Sequence, residues 1–329
     1  MTTDETALPV GLPDEWRLRQ QIKIRHLLLL QALDKHGTLG MAARELSVTQ
    51  PAATKLLAQL EQLLQLPLFE RRAKGLQPTE YGHIMIRHAH AALGEIGAAR
   101  EALALTAQGA QGRVSMGAVV GSLPRLTSVA LAHLLAAHAR LAVSVTVETS
   151  ATLVPMLERG ELELVVGQIP ATAQVDNLQV EPLMTEPLAL VVGPLHRHYD
   201  SRQLALNMLR DDLWVMPPPA SPLRERMDSV FHAAGLSVPR RTVDTPSTLL
   251  ATSLVQTAAQ AVAVLPHDVA RHYADHGDLR CLPVLLPSDL GTIGIVTRRR
   301  VRLSAAAEQV VQALRETARN AGFALSANT

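Results

Sequence analysis

Thr38-Leu39-Gly40-Met41-Ala42-Ala43-Arg44-Glu45-Leu46-Ser47-Val48-Thr49-Gln50-Pro51-Ala52-Ala53-Thr54-Lys55 is the stretch that decides the fold of the N-terminal part of this chain. Thr38 can cap a short helix, Leu39 to Leu46. Ser47-Val48-Thr49 is a tight connection. Thr49 caps a second helix, with Pro51 in the tolerated first turn. The apolar stripe Ala53, Leu56, Leu57, Leu60, Leu63 and Leu64 recurs at helical spacing, and Pro67 stops it. Two helices around a three-residue turn form a helix-turn-helix. Upstream, Ile24, Leu27, Leu28 and Leu30 open another helix, which ends at His36-Gly37. Downstream, Leu68–Arg72 and Leu76–Pro78 flank Ala73-Lys74-Gly75, two short strands around a basic turn, which is a β-wing.

The second helix of the motif presents Gln50, Pro51, Thr54 and Lys55 on the face opposite its leucines. Gln50 can pair in bidentate fashion with adenine, and Pro51 and the Thr54 methyl can pack on a thymine methyl. Lys55, with Arg71, Arg72 and Lys74 of the wing, can neutralise phosphates. With the helix-start residues Thr38 and Thr49, these form the candidate DNA-contacting set. A helical hairpin with a solvated polar face is the alternative. Charge favours DNA. Residues 16–90 hold eleven Lys/Arg against five Asp/Glu, the first fifteen residues carry −4, and residues 91–329 carry −1.

Thr79 caps a further helix with no breaker until Gly109. On it Tyr81, Met85, Ala89, Ala92, Ile96, Ala99 and Leu103 approach a sustained heptad seam. A solitary helix of roughly 40 Å cannot bury such a stripe, so a second copy of the chain is the expected cover. Packing on its own chain is the alternative. Beyond the linker Gln108–Gly112, strands and helices alternate, which predicts parallel-rich sheets in two small α/β lobes. The expected fold is therefore α/β with an α-rich N-terminal domain. Its parts are a flexible lead-in 1–20, a winged helix-turn-helix 21–79, a linker and dimerisation helix 80–107, a hinge 108–112, and a two-lobed domain 113–329. Lobe I takes 113–167 and 289–329, and lobe II takes 168–288.

Composition excludes other classes. Aromatics are 2% of the chain, too few for a carbohydrate module with stacking platforms or an RNA-binding aromatic sheet. No apolar run reaches the ~18 residues of a membrane span. Residues 1–15 have the wrong charge for a secretory leader, and the single Cys281 allows no intramolecular disulfide. A cytoplasmic location is expected. No nucleotide loop or nucleophile elbow is present. His88 and His90 come closest to metal spacing on the long helix, where an i,i+2 pair does not converge, and His196 and His198 read as a polar turn. No catalytic residue, metal or cofactor is expected. An enzyme, or a small-molecule receptor without DNA binding, remains the alternative.

The run 37–55, with Leu60-Glu61, Pro67-Leu68-Phe69-Glu70-Arg71 and Pro78-Thr79-Glu80-Tyr81-Gly82, resembles LysR-type transcriptional regulators. The resemblance is highly specific in residues 22–82. Thr54 stands where the family usually has Ser and keeps the hydroxyl. The wing Arg71–Thr79 and the N-terminal extension look most like the branch of sugar-binding-protein, protocatechuate and toluenesulfonate gene regulators. The resemblance implies promoter or operator DNA as partner, dimers or tetramers of the chain, contact with RNA polymerase, no membrane, and a domain shaped like a periplasmic binding protein (type 2) with a small effector between its lobes. Local residues agree with such a cleft. Gly121-Ser122, Thr149-Ser150, Pro217–Ser221 and Thr245–Thr248 are hydroxyl-bearing turns between a strand end and a helix start, where backbone N–H groups favour anions. Ordinary helix capping is the alternative at each. The expected effector is an organic carboxylate or sulfonate held by Ser122, Thr149, Ser150, Gln168, Ser221, Ser247 and Thr248, with Ile169 and Pro217 against its apolar part.

Overall fold

The structure, a computed structural model, describes residues 13–72, 75–107, 112–168, 177–219, 221–284, 286, 289–299 and 301–323. The chain divides into two compact units, one of residues 1–108 with 158–161 and one of residues 109–157 with 162–329.

The first unit opens with α1 (Glu15–Gln21), capped by the Asp14 carboxylate on the Arg17 N–H. This helix begins in the expected lead-in, residues 1–20, and ends one residue beyond it. Leu18 and Ile22, on one side of it, pack against the core of the unit, a contact that local polarity did not announce. Next come α2 (Ile24–His36), α3 (Leu39–Glu45) and α4 (Gln50–Leu64). Gly37 ends α2 in the left-handed region at φ +66°, which glycine adopts without a Cβ penalty. Thr38 and Thr49 cap α3 and α4 by accepting from Met41 and Ala52 N–H. Ala53, Leu57, Leu60 and Leu64 of α4 are buried against Leu29, Leu30 and Leu33 of α2. The Glu61 carboxylate accepts from Leu68 N–H at 2.7 Å and Phe69 N–H at 3.1 Å, tying α4 to β1 (Phe69–Arg72). β1 pairs antiparallel with β2 (Gly75–Pro78) as a two-stranded wing. The helix α5 (Glu80–Ala107) then runs 28 residues.

The second unit contains one hydrogen-bonded path of strands. Its members are β3 (Gly112–Ala118), β4 (Leu141–Val147), β5 (Leu164–Gly167), β6 (Leu178–Val192), β7 (Leu213–Met216), β8 (Thr242–Asp244), β9 (Ala261–Pro266), β10 (Arg280–Cys281) and β11 (Asp289–Arg298). Their order is β4-β3-β5-β11-β6-β9-β7-β8, with β10 on β6. Lobe I packs α6 (Ser128–Ala137), α7 (Ser150–Glu158) and α11 (Ala305–Asn320) on its strands. Lobe II packs α8 (Pro222–Ala233) on one sheet face and α9 (Thr248–Thr257) with α10 (His267–Asp275) on the other. Alternation within the strands shows the two faces. Leu188, Leu190 and Val192 meet Trp214, Val262 and Phe231, whereas Ala189 and Val191 meet Ala263, Val255 and Val269. A sheet covered on both faces needs such continuous apolar runs.

The lobes cross elsewhere than expected. Residues 178–187 of β6 still pair with β11 in lobe I, and only residues 188–192 pair with β9. The first crossing therefore lies at 185–188, not near Gln168. Pro182 and Pro187 hid the strand, because proline reads as a breaker. Here Pro182 sits at a register slip between Ile293 and Gly294, where a missing N–H is tolerated. The apolar stretch Val120–Ala137 has the length and composition of a membrane span. It opens as a 3-10 turn and a π turn around Pro124, and Leu126, Ala130 and Leu134 pack in the core of lobe I.

Candidate functional site

On the first unit, Gln50, Pro51, Lys55, Arg71 and Arg72 are exposed and Thr54 is half-buried. The Thr54 hydroxyl donates to the Gln50 carbonyl at 2.9 Å, which leaves its methyl as the outward feature. The Thr38 and Thr49 hydroxyls are engaged as caps, so the structure gives them a positioning part. Arg72 pairs with Glu70 at 2.7 Å, an exposed pair of small net worth. Lys74 lies outside the described residues.

Along α5 the expected seam divides. Tyr81, Ala92, Ile96, Ala99 and Leu103 are exposed. Ala89 is fully buried and Met85 packs against the core of the first unit. These two therefore face α2 and leave the outward stripe. The heptad reading counted them because 3.6-residue periodicity drifts from one face to the next over a long helix. Ile84, 41% exposed, lies three residues after Tyr81 and eight before Ala92 and extends the outward stripe instead.

In the second unit a cleft of about 950 Å³ lies between the lobes. Thr149, Ser150, Gln168, Pro217, Ser221, Ser247 and Thr248 line it, as expected. Its apolar wall includes Val119, Val147, Met216, Leu223 and Leu265. The starts of α7, α8 and α9 open on it. Ser221 and Ser247 also cap their helices, accepting from Arg224 and Leu250 N–H. Ile169 lies outside the described residues.

Ser122 is a correction. It is fully buried, its hydroxyl donates to Val119 O at 2.8 Å and lies 3.0 Å from the Thr127 hydroxyl, and it is absent from the cleft wall. The irregular turns after β3 rotate it inward. The cleft instead receives three carboxyls that the reading of hydroxyl turns passed over: Glu148 and Glu225, both exposed, and Glu186, 4% exposed. Among the described lining residues no Lys, Arg or His occurs. Ser150 Oγ accepts from Gln168 N–H at 3.0 Å and donates to Gln168 Oε1 at 3.2 Å, and Gln168 Nε2 donates to Glu186 Oε2. Burial pushes the Glu186 carboxyl up to about 7, opposed by the Gln168 hydrogen bond and helped by the charge of Asp268. A lone acid beside an apolar strand buried on both faces was the available signal.

Among the described residues no group of three or more His, Cys, Asp or Glu has metal-binding geometry. His90 meets Asp34 at 3.0 Å and His196 meets Asp212 at 3.4 Å. Cys281 is half-buried, and burial pushes its thiol up.

The family described as "Bacterial regulatory helix-turn-helix protein, lysR family" matches residues 24–83, and "LysR substrate binding domain" matches residues 107–319. The chain belongs to the LysR family. It is a DNA-binding transcriptional regulator with an effector-binding domain, and LysR members are regulators rather than enzymes. The transcriptional regulator GbpR of Azospirillum brasilense is 32% identical over 310 residues, covering 93% of this chain and 90% of that protein. PcaQ of Agrobacterium fabrum is 27% identical over 299 residues, covering 91% and 96%. Among solved structures, the LysR-family regulator CbnR has a TM-score of 0.56 at 21% identity, covering 90% of this chain and 99% of that one. A full-length OxyR variant from Pseudomonas aeruginosa has a TM-score of 0.56 at 20% identity, covering 91% and 95%. These likenesses show the two-unit LysR fold.

Proposed function

We propose that this LysR-family protein reads a promoter or operator through α4 and the wing, works in the cytoplasm as a dimer or dimer of dimers, and is switched by a small organic anion in the cleft. In this reading Gln50, Pro51 and the Thr54 methyl meet base edges in the major groove, and Lys55, Arg71, Arg72 and Lys74 meet phosphates. The outward stripe of α5, from Tyr81 through Ile96 to Leu103, is covered by the same helix of a second copy. RNA polymerase is the further partner of a regulator so placed.

The observation that carries the effector reading is the convergence of three helix starts, those of α7, α8 and α9, on one cleft with an apolar wall. An anion at each start gains roughly 0.3–1 kcal/mol from the helix dipole. A carboxylate or sulfonate on an apolar body suits that arrangement. Glu148, Glu186 and Glu225 favour a second reading, a neutral ligand rich in hydroxyl donors. A gel shift on the DNA upstream of the chain's own gene, repeated with candidate anions and with polyols, tests both parts. Failure to shift that DNA overturns the first part, and a shift altered by polyols alone overturns the anion.

A further inference from the structure

Glu186 occupies an unusual place. It is 4% exposed, lines the cleft, and sits on the crossing strand β6 just before pairing passes from β11 to β9. The ladder slips by one residue opposite it, between Asp289 and Thr292, with Gly291 at φ +96°. Gly121 leaves room for it, since a Cβ there would overlap the Glu186 carboxyl. Gln168 Nε2 donates to one carboxyl oxygen, and among the described residues that line the cleft no cation occurs. The charge of Asp268 on α10 also acts on it, and Arg125 at 3.2 Å and His267 at 3.5 Å occupy Asp268 in turn. Glu148 and Glu225 share the cleft but are solvated. An ionised Glu186 would repel an anionic effector across an apolar wall, where charges interact more strongly than in water. A neutral Glu186 would donate a hydrogen bond to it.

We propose that Glu186 presents a protonated carboxyl to the anionic effector, so that anion and proton enter the cleft together. The inference rests on the anion reading above and deepens it. The O–H stays on Glu186 and hydrogen-bonds the bound carboxylate or sulfonate oxygen, while Gln168 Nε2 holds the other carboxyl oxygen. The proton comes from solvent, and no covalent bond changes. Burial already brings the empty group to the edge of neutrality, and a bound anion moves it further the same way.

The test uses the full chain and a panel of benzoate, citrate and toluenesulfonate, with benzamide as a neutral control. Calorimetric titrations at about pH 6 and about pH 8, in buffers of different ionisation heat, read affinity and proton uptake together. The expected result is uptake of close to one proton at about pH 8 and almost none at about pH 6, with affinity falling about tenfold per pH unit above the Glu186 titration. Glu186→Gln, which keeps a neutral donor, removes the uptake and the slope. Anions that bind without uptake, or with release, overturn this inference and leave the anion reading standing. Failure of every anion to bind at about pH 6 overturns both. Infrared difference spectra of the ligand-free protein against Glu186→Gln supply an independent readout. A protonated-carboxyl band present at about pH 6 and lost at about pH 8 is expected, and its absence at about pH 6 overturns the inference.

Discussion

The DNA-binding unit and the effector unit are built by different kinds of contact. In the first, α2, α3 and α4 are neighbours in the chain, and the wing joins strands two residues apart. In the second, Gln179 of β6 pairs with Thr297 of β11, and Arg125 meets Asp268 across 143 positions. A unit of near neighbours is specified by caps and periodicity. A unit of distant strands is specified by which surfaces end up against each other, so its site can depart from any local pattern.

The largest test concerns the outward stripe of α5. Ile96, 49% exposed on the single chain, becomes buried if α5 pairs with a second copy. Ile96→Asp then places an unpaired carboxylate in an apolar seam. Sedimentation is expected to show a monomer, with operator affinity reduced by about 10²–10⁴-fold as the linked second DNA contact is lost. A variant that stays dimeric moves the interface elsewhere.

Leu60→Ala tests whether the two units stand alone. Leu60 is fully buried in the first unit, and its truncation is expected to cost that unit about 2–5 kcal/mol. Trp214, fully buried in lobe II, reports the other unit once Trp16 of α1 is replaced, as in Trp16→Phe. Urea unfolding followed by operator binding shifts, whereas unfolding followed by Trp214 fluorescence does not. Parallel shifts would merge the two units into one cooperative body.

Glu186 makes the effector unit sensitive to pH. Burial pushes its carboxyl from the usual glutamate value of 4.5 up to about 7 in the folded chain. Between those values the unfolded chain binds fewer protons than the folded one. The contribution is therefore complete below about pH 4.5 and is lost as pH rises through about 7, a change of about 3 kcal/mol at most. Urea midpoints of the Trp214 transition are expected to fall over that window and to flatten in Glu186→Gln.

Gln50→Ala is expected to cost about 1–3 kcal/mol at one base pair and to relax preference there. Arg72→Ala weakens all DNA alike and lowers the salt slope. Competition gel shifts separate the two, and unchanged preference in Gln50→Ala removes α4 from base reading. The smallest effect is that of Ser122→Ala. Its hydroxyl bonds inside lobe I, so the change is expected to cost about 1 kcal/mol of stability and to leave the effector response intact. A lost response would return Ser122 to the cleft.

The helix-turn-helix, the wing and the resemblance to the family were legible in the residues alone. Gly37, Thr38, Thr49 and Pro51 act through bonds within about four residues, and those bonds survive any tertiary arrangement. Also legible were the hydroxyl turns at Thr149-Ser150, Ser221 and Ser247, which precede helices. Which side each group faces was set by the three-dimensional packing. It turned Ser122 and Ala89 inward, carried β6 through Pro182 and Pro187 into both lobes, and set Glu186 against Gly121 and Gln168 at the crossing. The physical reason is that burial and electrostatic environment are sums over everything nearby, and here the neighbours come from strands and helices far apart in the chain.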